Sequence, residues 1–186
     1  MAKSYFSDLV FKRIESLENG DYENCRFVNC ILPNCDLSGI NFIECEFENC
    51  DFSTSKLYDT SFKTASFAKS KLVGLRFEDC NEFLFSIDFQ DCNLNLSSFY
   101  QVNPQNLSFE NCNLKEVDFT EAVLNEVSFD NCDLDSAIFK NTNLEKADLR
   151  TSYNFLIDPE TNNIKESKFL LQDLPGLLHK YNIHIE

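Results

Sequence analysis

The stretch from Glu23 to Phe52, ENCRFVNCILPNCDLSGINFIECEFENCDF, carries cysteines at positions 25, 30, 35, 45 and 50. Two places after each of these stands a large apolar residue: Phe27, Leu32, Leu37, Phe47 and Phe52, with Phe42 completing the series. The period is five. An α-helix repeats about every 3.6 residues and a strand every second residue, so neither produces it. A unit of five repeated this often requires a chain that coils and turns one large side chain inward per unit.

Working outward, the series continues through Leu57, Phe62, Phe67, Leu72 and Phe77. It slips by two residues and resumes at Leu84, Phe89, Leu94 and Phe99, passes Pro104, and runs from Phe109 to Leu149; 24 of 25 slots hold Phe or Leu. The position two before each large residue is mostly small or apolar, as at Cys45, Ser55, Thr60, Ala65, Cys112, Ala122 and Cys132, so it also points inward. The residue between the two is mostly polar (Asp36, Asn41, Asp51, Asp118, Asp133) and faces outward or into a turn.

Eight of the nine cysteines fill this small inward slot, Cys80 continuing the first register just as it breaks, and they read as small hydrophobes. A zinc site would want CxxC-type pairs with further Cys or His nearby, whereas the spacing here is CxxxxC and both histidines, His179 and His184, lie at the far end. Residues twenty apart, with the slip counted as two inserted residues, form like columns: Phe27, Phe47, Phe67, Phe89, Phe109, Phe129, Leu149. The expectation is a four-sided coil of twenty residues per turn, rising about 4.8 Å each time. Parallel thiols at that spacing approach awkwardly for a disulfide.

Composition narrows the function. The net charge of −15 argues against nucleic acid as a ligand and suits a partner with a basic surface, or serves solubility. No apolar run reaches membrane-span length, and MAKSYFSDLVFKRI lacks a signal-peptide layout, so a cytoplasmic location with reduced thiols is expected. Glycine stands only at 20, 39, 74 and 176, which excludes a Gly-rich phosphate loop, and no histidine lies within the repeats. No catalytic constellation is legible, and the reading is a non-enzyme without cofactor or metal.

The chain divides into an N-terminal cap at 1–21 (Phe6, Leu9 and Phe11 covering the coil), a repeat region at 22–153 broken near 78–83, and a tail at 154–186. The slip puts Phe83 and Phe85 beside Leu84, at positions that otherwise face outward. In the tail, Ile164 and Phe169 return to the five-residue count and imply a last partial coil. DLPGLLHKY then suggests a helix over 174–181 capped by Asp173, with Leu174, Leu177, Leu178 and Tyr181 on one face as a cap or dimer seam; Ile183 and Ile185 alternate as in an edge strand.

Residues 84–149 hold 12 acids against 3 bases, most of the chain's excess. The wall carrying the Phe27 column collects Glu46, Glu48, Asp88, Asp91, Glu110, Asp130 and Asp148 against Lys69. Glu110 and Asp130 would be direct neighbours, which costs stability and points to a surface made for a basic partner.

The pattern in CDLDSAIFKNTNLEKADL at 132–149 resembles the A(D/N)LXX motif of the pentapeptide repeat family, over about 22–149. The resemblance implies an all-β fold, a right-handed quadrilateral β-helix, here with a short C-terminal helix. Its quinolone-resistance (Qnr-type) and microcin B17 immunity members mimic DNA, bind DNA gyrase or topoisomerase IV, and dimerise through a C-terminal helix. By that resemblance the expected partner is a type II topoisomerase, engaged by a homodimer. The alternative is an interaction scaffold for an unrelated protein. Many Qnr-type proteins carry longer loops needed for protection, whereas the slip here adds only two residues.

Overall fold

The computed structural model describes residues 3–184. Among them, short strands stack into two all-parallel sheets. One has four strands: β1 (Ser4–Ser7), β3 (Gly20–Glu23), β5 (Asn41–Ile43) and β7 (Ser61–Lys63). The other has seven: β2 (Val10–Lys12), β4 (Arg26–Val28), β6 (Glu46–Glu48), β8 (Ala65–Ala68), β9 (Ser86–Gln90), β10 (Asn106–Glu110) and β11 (Ser128–Asp130). The remaining two walls are ladders of single bridges such as Asp36↔Lys56 and Asn113↔Asp133. Every pairing is parallel because each coil returns in the direction of the last.

The register follows the twenty-residue period. Phe27 pairs with Phe47 and Phe47 with Phe67; across the slip Phe67 pairs with Phe89, after which Phe109 and Phe129 follow. Inside, the rings stack with centroids 4.8 Å apart for Phe27–Phe47, 4.4 Å for Phe47–Phe67 and 5.4 Å for Phe89–Phe109. A second stack runs through Tyr22, Phe42 and Phe62, and a third through Phe77, Phe99, Phe119 and Phe139. Burying each such ring is worth about 1.5–3 kcal/mol, so the core is a row of near-identical contributions.

The corners are backbone devices. Among the described residues twenty-six that are not glycine have positive φ, most of them at the position just before the small inward slot, as at Asn24, Asn29, Lys69, Glu116 and Glu121. Left-handed backbone costs about 1–2 kcal/mol for an L-residue and least for Asn, which is frequent here. It is offset because most corner amides reach the next coil: Asn24 N–H donates to Ile43 O and Asn29 N–H to Glu48 O, both at 2.9 Å.

The small inward slot also has a chemical role that packing alone does not require. Its Ser and Thr hydroxyls donate to a carbonyl of the preceding coil: Ser55 to Leu32 O, Thr60 to Leu37 O and Thr142 to Phe119 O, each at 2.8 Å. Cysteine does the same, with Cys45 Sγ 3.3 Å from Tyr22 O and Cys50 Sγ 3.4 Å from Phe27 O. All nine cysteines are free, and only Cys35 is not fully buried.

Three local expectations need correction. At the slip, Leu84 is exposed with φ +60°, and Phe85 is the buried residue, while Phe83 stands in solvent. The extra residues turn Leu84 into a corner and pass its inward role to Phe85. At the N-terminus, residues 4–12 are a first coil rather than a separate cap. Ser4 pairs with Gly20 and Val10 with Arg26, and Phe6 stacks on Tyr22 and Phe11 on Phe27, which closes that end; Leu9 is exposed. Gly20 is required by this short first turn, because a Cβ there would lie 2.7 Å from Ser4 O.

At the C-terminus the helix is one turn, Pro175–Leu178, between 3-10 turns Leu171–Asp173 and His179–Tyr181. Asp173 does not cap it; the N-cap is Leu174, without a side-chain cap. Leu177 is buried, Leu178 half-buried, and Leu174 and Tyr181 exposed, so the four do not share one covered face. Ile183 is not in a strand, and Ile185 lies outside the described residues. The last partial coil forms, with bridges Asn143↔Asn163 and Asp148↔Lys168, and Phe169 packs on Phe155. No helix among the described residues is long and apolar enough to cross a membrane.

Candidate functional site

The seven-stranded sheet presents its outward residues as straight rows, because every strand pairs in register. One row reads Arg26, Glu46, Ser66, Asp88, Ser108, Ser128, Asp148 and the next includes Glu48, Gln90, Glu110 and Asp130. All seven acids picked out from the sequence therefore lie on this wall or its corner, Asp91 being the positive-φ residue beside β9. Glu110 and Asp130 are direct register partners.

The wall is not uniformly acidic, which the sequence reading missed by setting only Lys69 against it. Arg26 lies in the same row as Glu46, with Nε 3.7 Å from it, and its Nη2 is 2.6 Å from Glu48. At the other end Arg150 Nη2 is 2.7 Å from Asp148 and Lys168 is 3.7 Å away. The Arg150 guanidinium holds the Asp148 carboxyl below the usual carboxylate range. The signal was present: Arg26 precedes Phe27 and Arg150 follows Leu149, at the two outward positions of the unit.

Between these ion-paired ends lie Asp88, Asp91, Glu110 and Asp130, all exposed and without an ion pair among the described residues. Asp88 accepts hydrogen bonds from Asn106 Nδ2 (3.0 Å) and the Ser108 hydroxyl, and Asp130 from the Thr151 hydroxyl (2.6 Å). These bonds fix the carboxylates in place without cancelling their charge. Chemically the patch is an array of anions spaced by the register of the sheet. Among the described residues no group of His, Cys, Asp or Glu is arranged to hold a metal ion. The tail residues Leu174, Leu177, Leu178 and Tyr181 are remote from this patch in the chain, and the Tyr181 hydroxyl donates to Glu160 at 2.8 Å.

The family profile described as the pentapeptide repeat region matches residues 40–106 and 83–153, more than half of the chain. The chain belongs to the pentapeptide repeat family. Its coil is that family's right-handed quadrilateral β-helix, closed by a short C-terminal helix. HetL, a pentapeptide repeat protein involved in heterocyst differentiation regulation in the cyanobacterium Nostoc sp. strain PCC 7120, is 16% identical, with 89% of this chain and 82% of HetL covered at a TM-score of 0.65. QnrB1, a plasmid-mediated fluoroquinolone resistance protein, is 19% identical in one of its structures, with 98% and 97% covered at a TM-score of 0.48. The search of curated proteins finds no match. The family match and the likeness to HetL establish the repeat fold.

Proposed function

We propose that this chain is a non-enzymatic, DNA-mimicking binding protein whose acidic wall docks into the basic DNA groove of a type II topoisomerase. Protection of that enzyme from quinolones or peptide toxins would follow from occupying the groove. The observation that carries the reading is the unneutralised patch of Asp88, Asp91, Glu110 and Asp130, with Glu110 and Asp130 in direct register. Like charges directly opposite one another destabilise a sheet. A partner's lysines and arginines relieve that repulsion on binding, so the free protein is poised for a basic surface. The choice of topoisomerase rests on the family resemblance. Two copies would join through their C-terminal ends, where Leu171 and Leu174 stand exposed.

The test is DNA supercoiling by purified gyrase with the protein titrated in, with and without a fluoroquinolone. Inhibition, or rescue from the drug, is expected. Replacing Asp88, Asp91, Glu110 and Asp130 together by their amides should abolish the effect and flatten its salt dependence. No effect of the unaltered protein up to micromolar concentrations would remove the topoisomerase reading and leave an acidic scaffold.

A further inference from the structure

The two inserted residues near 78–85 do more than shift the register. They push the chain outward at Glu82–Leu84 and leave a cavity of about 290 Å³ behind it, bordered by Arg76, Glu78, Glu82, Phe85, Tyr100 and Val102. Its volume is near the lower end of ligand pockets and would hold on the order of ten waters. The cavity lies away from the acidic patch: its residues sit around the Phe77–Phe99 stack, not on the seven-stranded wall.

Its chemistry is asymmetric. Phe85 and Val102 are buried and make an apolar floor, while Tyr100 is 38% exposed at the rim. Glu78 has a side chain only 16% exposed. One of its oxygens, Oε1, faces Arg76 Nε at 3.2 Å, whereas the other, Oε2, is fully buried without a hydrogen-bond donor among the described residues. Arg76 Nε is shared with Asp79 at 3.4 Å, so one cation serves two carboxylates, and Glu82 adds a third acid. Glu78 and Glu82 thus line the cavity against a single guanidinium already shared with Asp79, an excess of negative charge that a cationic ligand offsets.

We propose that this cavity is a receptacle for one arginine side chain of a protein partner. A guanidinium fits on three counts. It is planar and stacks on aromatic faces such as Tyr100; it brings a positive charge and several donors to the exposed carboxylate of Glu82 at the mouth; and its alkyl stem covers Val102 and Phe85. An ammonium satisfies the charge but not the stacking, and an anion meets Glu78 and Glu82. The assignment does not depend on the DNA-mimic reading, since any basic partner could supply the side chain.

The experiment is an NMR titration of the full chain, labelled at backbone amides and at valine and leucine methyls. The probes are N-acetyl-argininamide, N-acetyl-lysinamide, free arginine and sodium propionate, all at constant ionic strength. Saturable shifts at Val102, Gln101 and Tyr100 are expected with N-acetyl-argininamide, with a Kd on the order of 1 mM. The lysine analogue should bind several-fold more weakly. Free arginine, whose carboxylate meets an acidic mouth, should also be weaker, which separates a peptide-borne side chain from the free amino acid. Glu82→Gln should weaken binding about threefold, and the fourfold amide variant of the acidic wall should leave it unchanged. Should Glu82→Gln fail to fold, the comparison of probes on the unaltered protein still decides. Equal shifts with arginine and lysine analogues, stronger shifts with propionate, or none that saturate, would overturn the proposal.

Discussion

Thr60 illustrates what each inward residue does. It fills a small slot, and its hydroxyl donates to Leu37 O one coil earlier, as cysteine thiols do elsewhere in the ladder. Burial pushes the Cys45 thiol up to about 12, and the hydrogen bond with Cys132 does the same for Cys112. These groups stay protonated at ordinary pH and remain donors rather than nucleophiles. A thiol-reactive chromophore at pH 8 should therefore label only Cys35 quickly, and all nine cysteines after denaturation. Rapid labelling of several would mean that the ladder opens. At the corners, Leu96 is 54% exposed with φ +61°. Leu96→Gly removes the left-handed penalty and little packing, and should stabilise the protein by about 1 kcal/mol in urea unfolding.

Among the elements, the C-terminal turn depends on a single close approach. Gly176 O accepts a hydrogen bond from Ile157 N–H at 3.1 Å, and a Cβ at Gly176 would lie 2.5 Å from Phe155 O. That contact, with Leu177 buried beneath it, lets a one-turn helix persist although isolated helices of that length do not form. Gly176→Ala should lift the turn off the last coil. Hydrogen exchange should rise at Leu177 and Ile157 while the coil before residue 149 keeps its protection. Unchanged exchange would show that Phe155 simply shifts. The slip is the other irregular element, and its effect is the reverse: a small insertion is absorbed within one coil, and the pairing of Phe67 with Phe89 continues as if nothing intervened.

At the scale of the whole molecule the charge of −15 opposes compactness, and the register concentrates part of it at Glu110 and Asp130. Salt screens such repulsion over about 8–10 Å near physiological strength. The melting temperature should thus rise between 10 mM and 300 mM sodium chloride, opposite to the behaviour of a fold held by surface ion pairs. Asp130→Asn should raise it by about 1–2 °C at low salt while weakening any basic partner. A melting temperature insensitive to both would remove the argument that the patch is kept against the interest of stability.

Local order in the chain settled the repeating part of this protein. Each unit of five makes the same contacts as its neighbours, so the large residue at Phe47 or Phe109 and the small one at Cys50 or Cys112 could be placed without coordinates. The adjacency of Glu110 and Asp130 followed from the same arithmetic. Tertiary structure decided whatever depends on a single, unrepeated contact: that Phe85 and not Leu84 turns inward, that residues 4–12 start the coil, and that Arg26 and Arg150 pair with the acids at the ends of the acidic wall. The cavity behind the slip and the unpartnered oxygen of Glu78 belong to the same class. A period reports an average environment, whereas a break in it is resolved only by which side chain finds space in three dimensions.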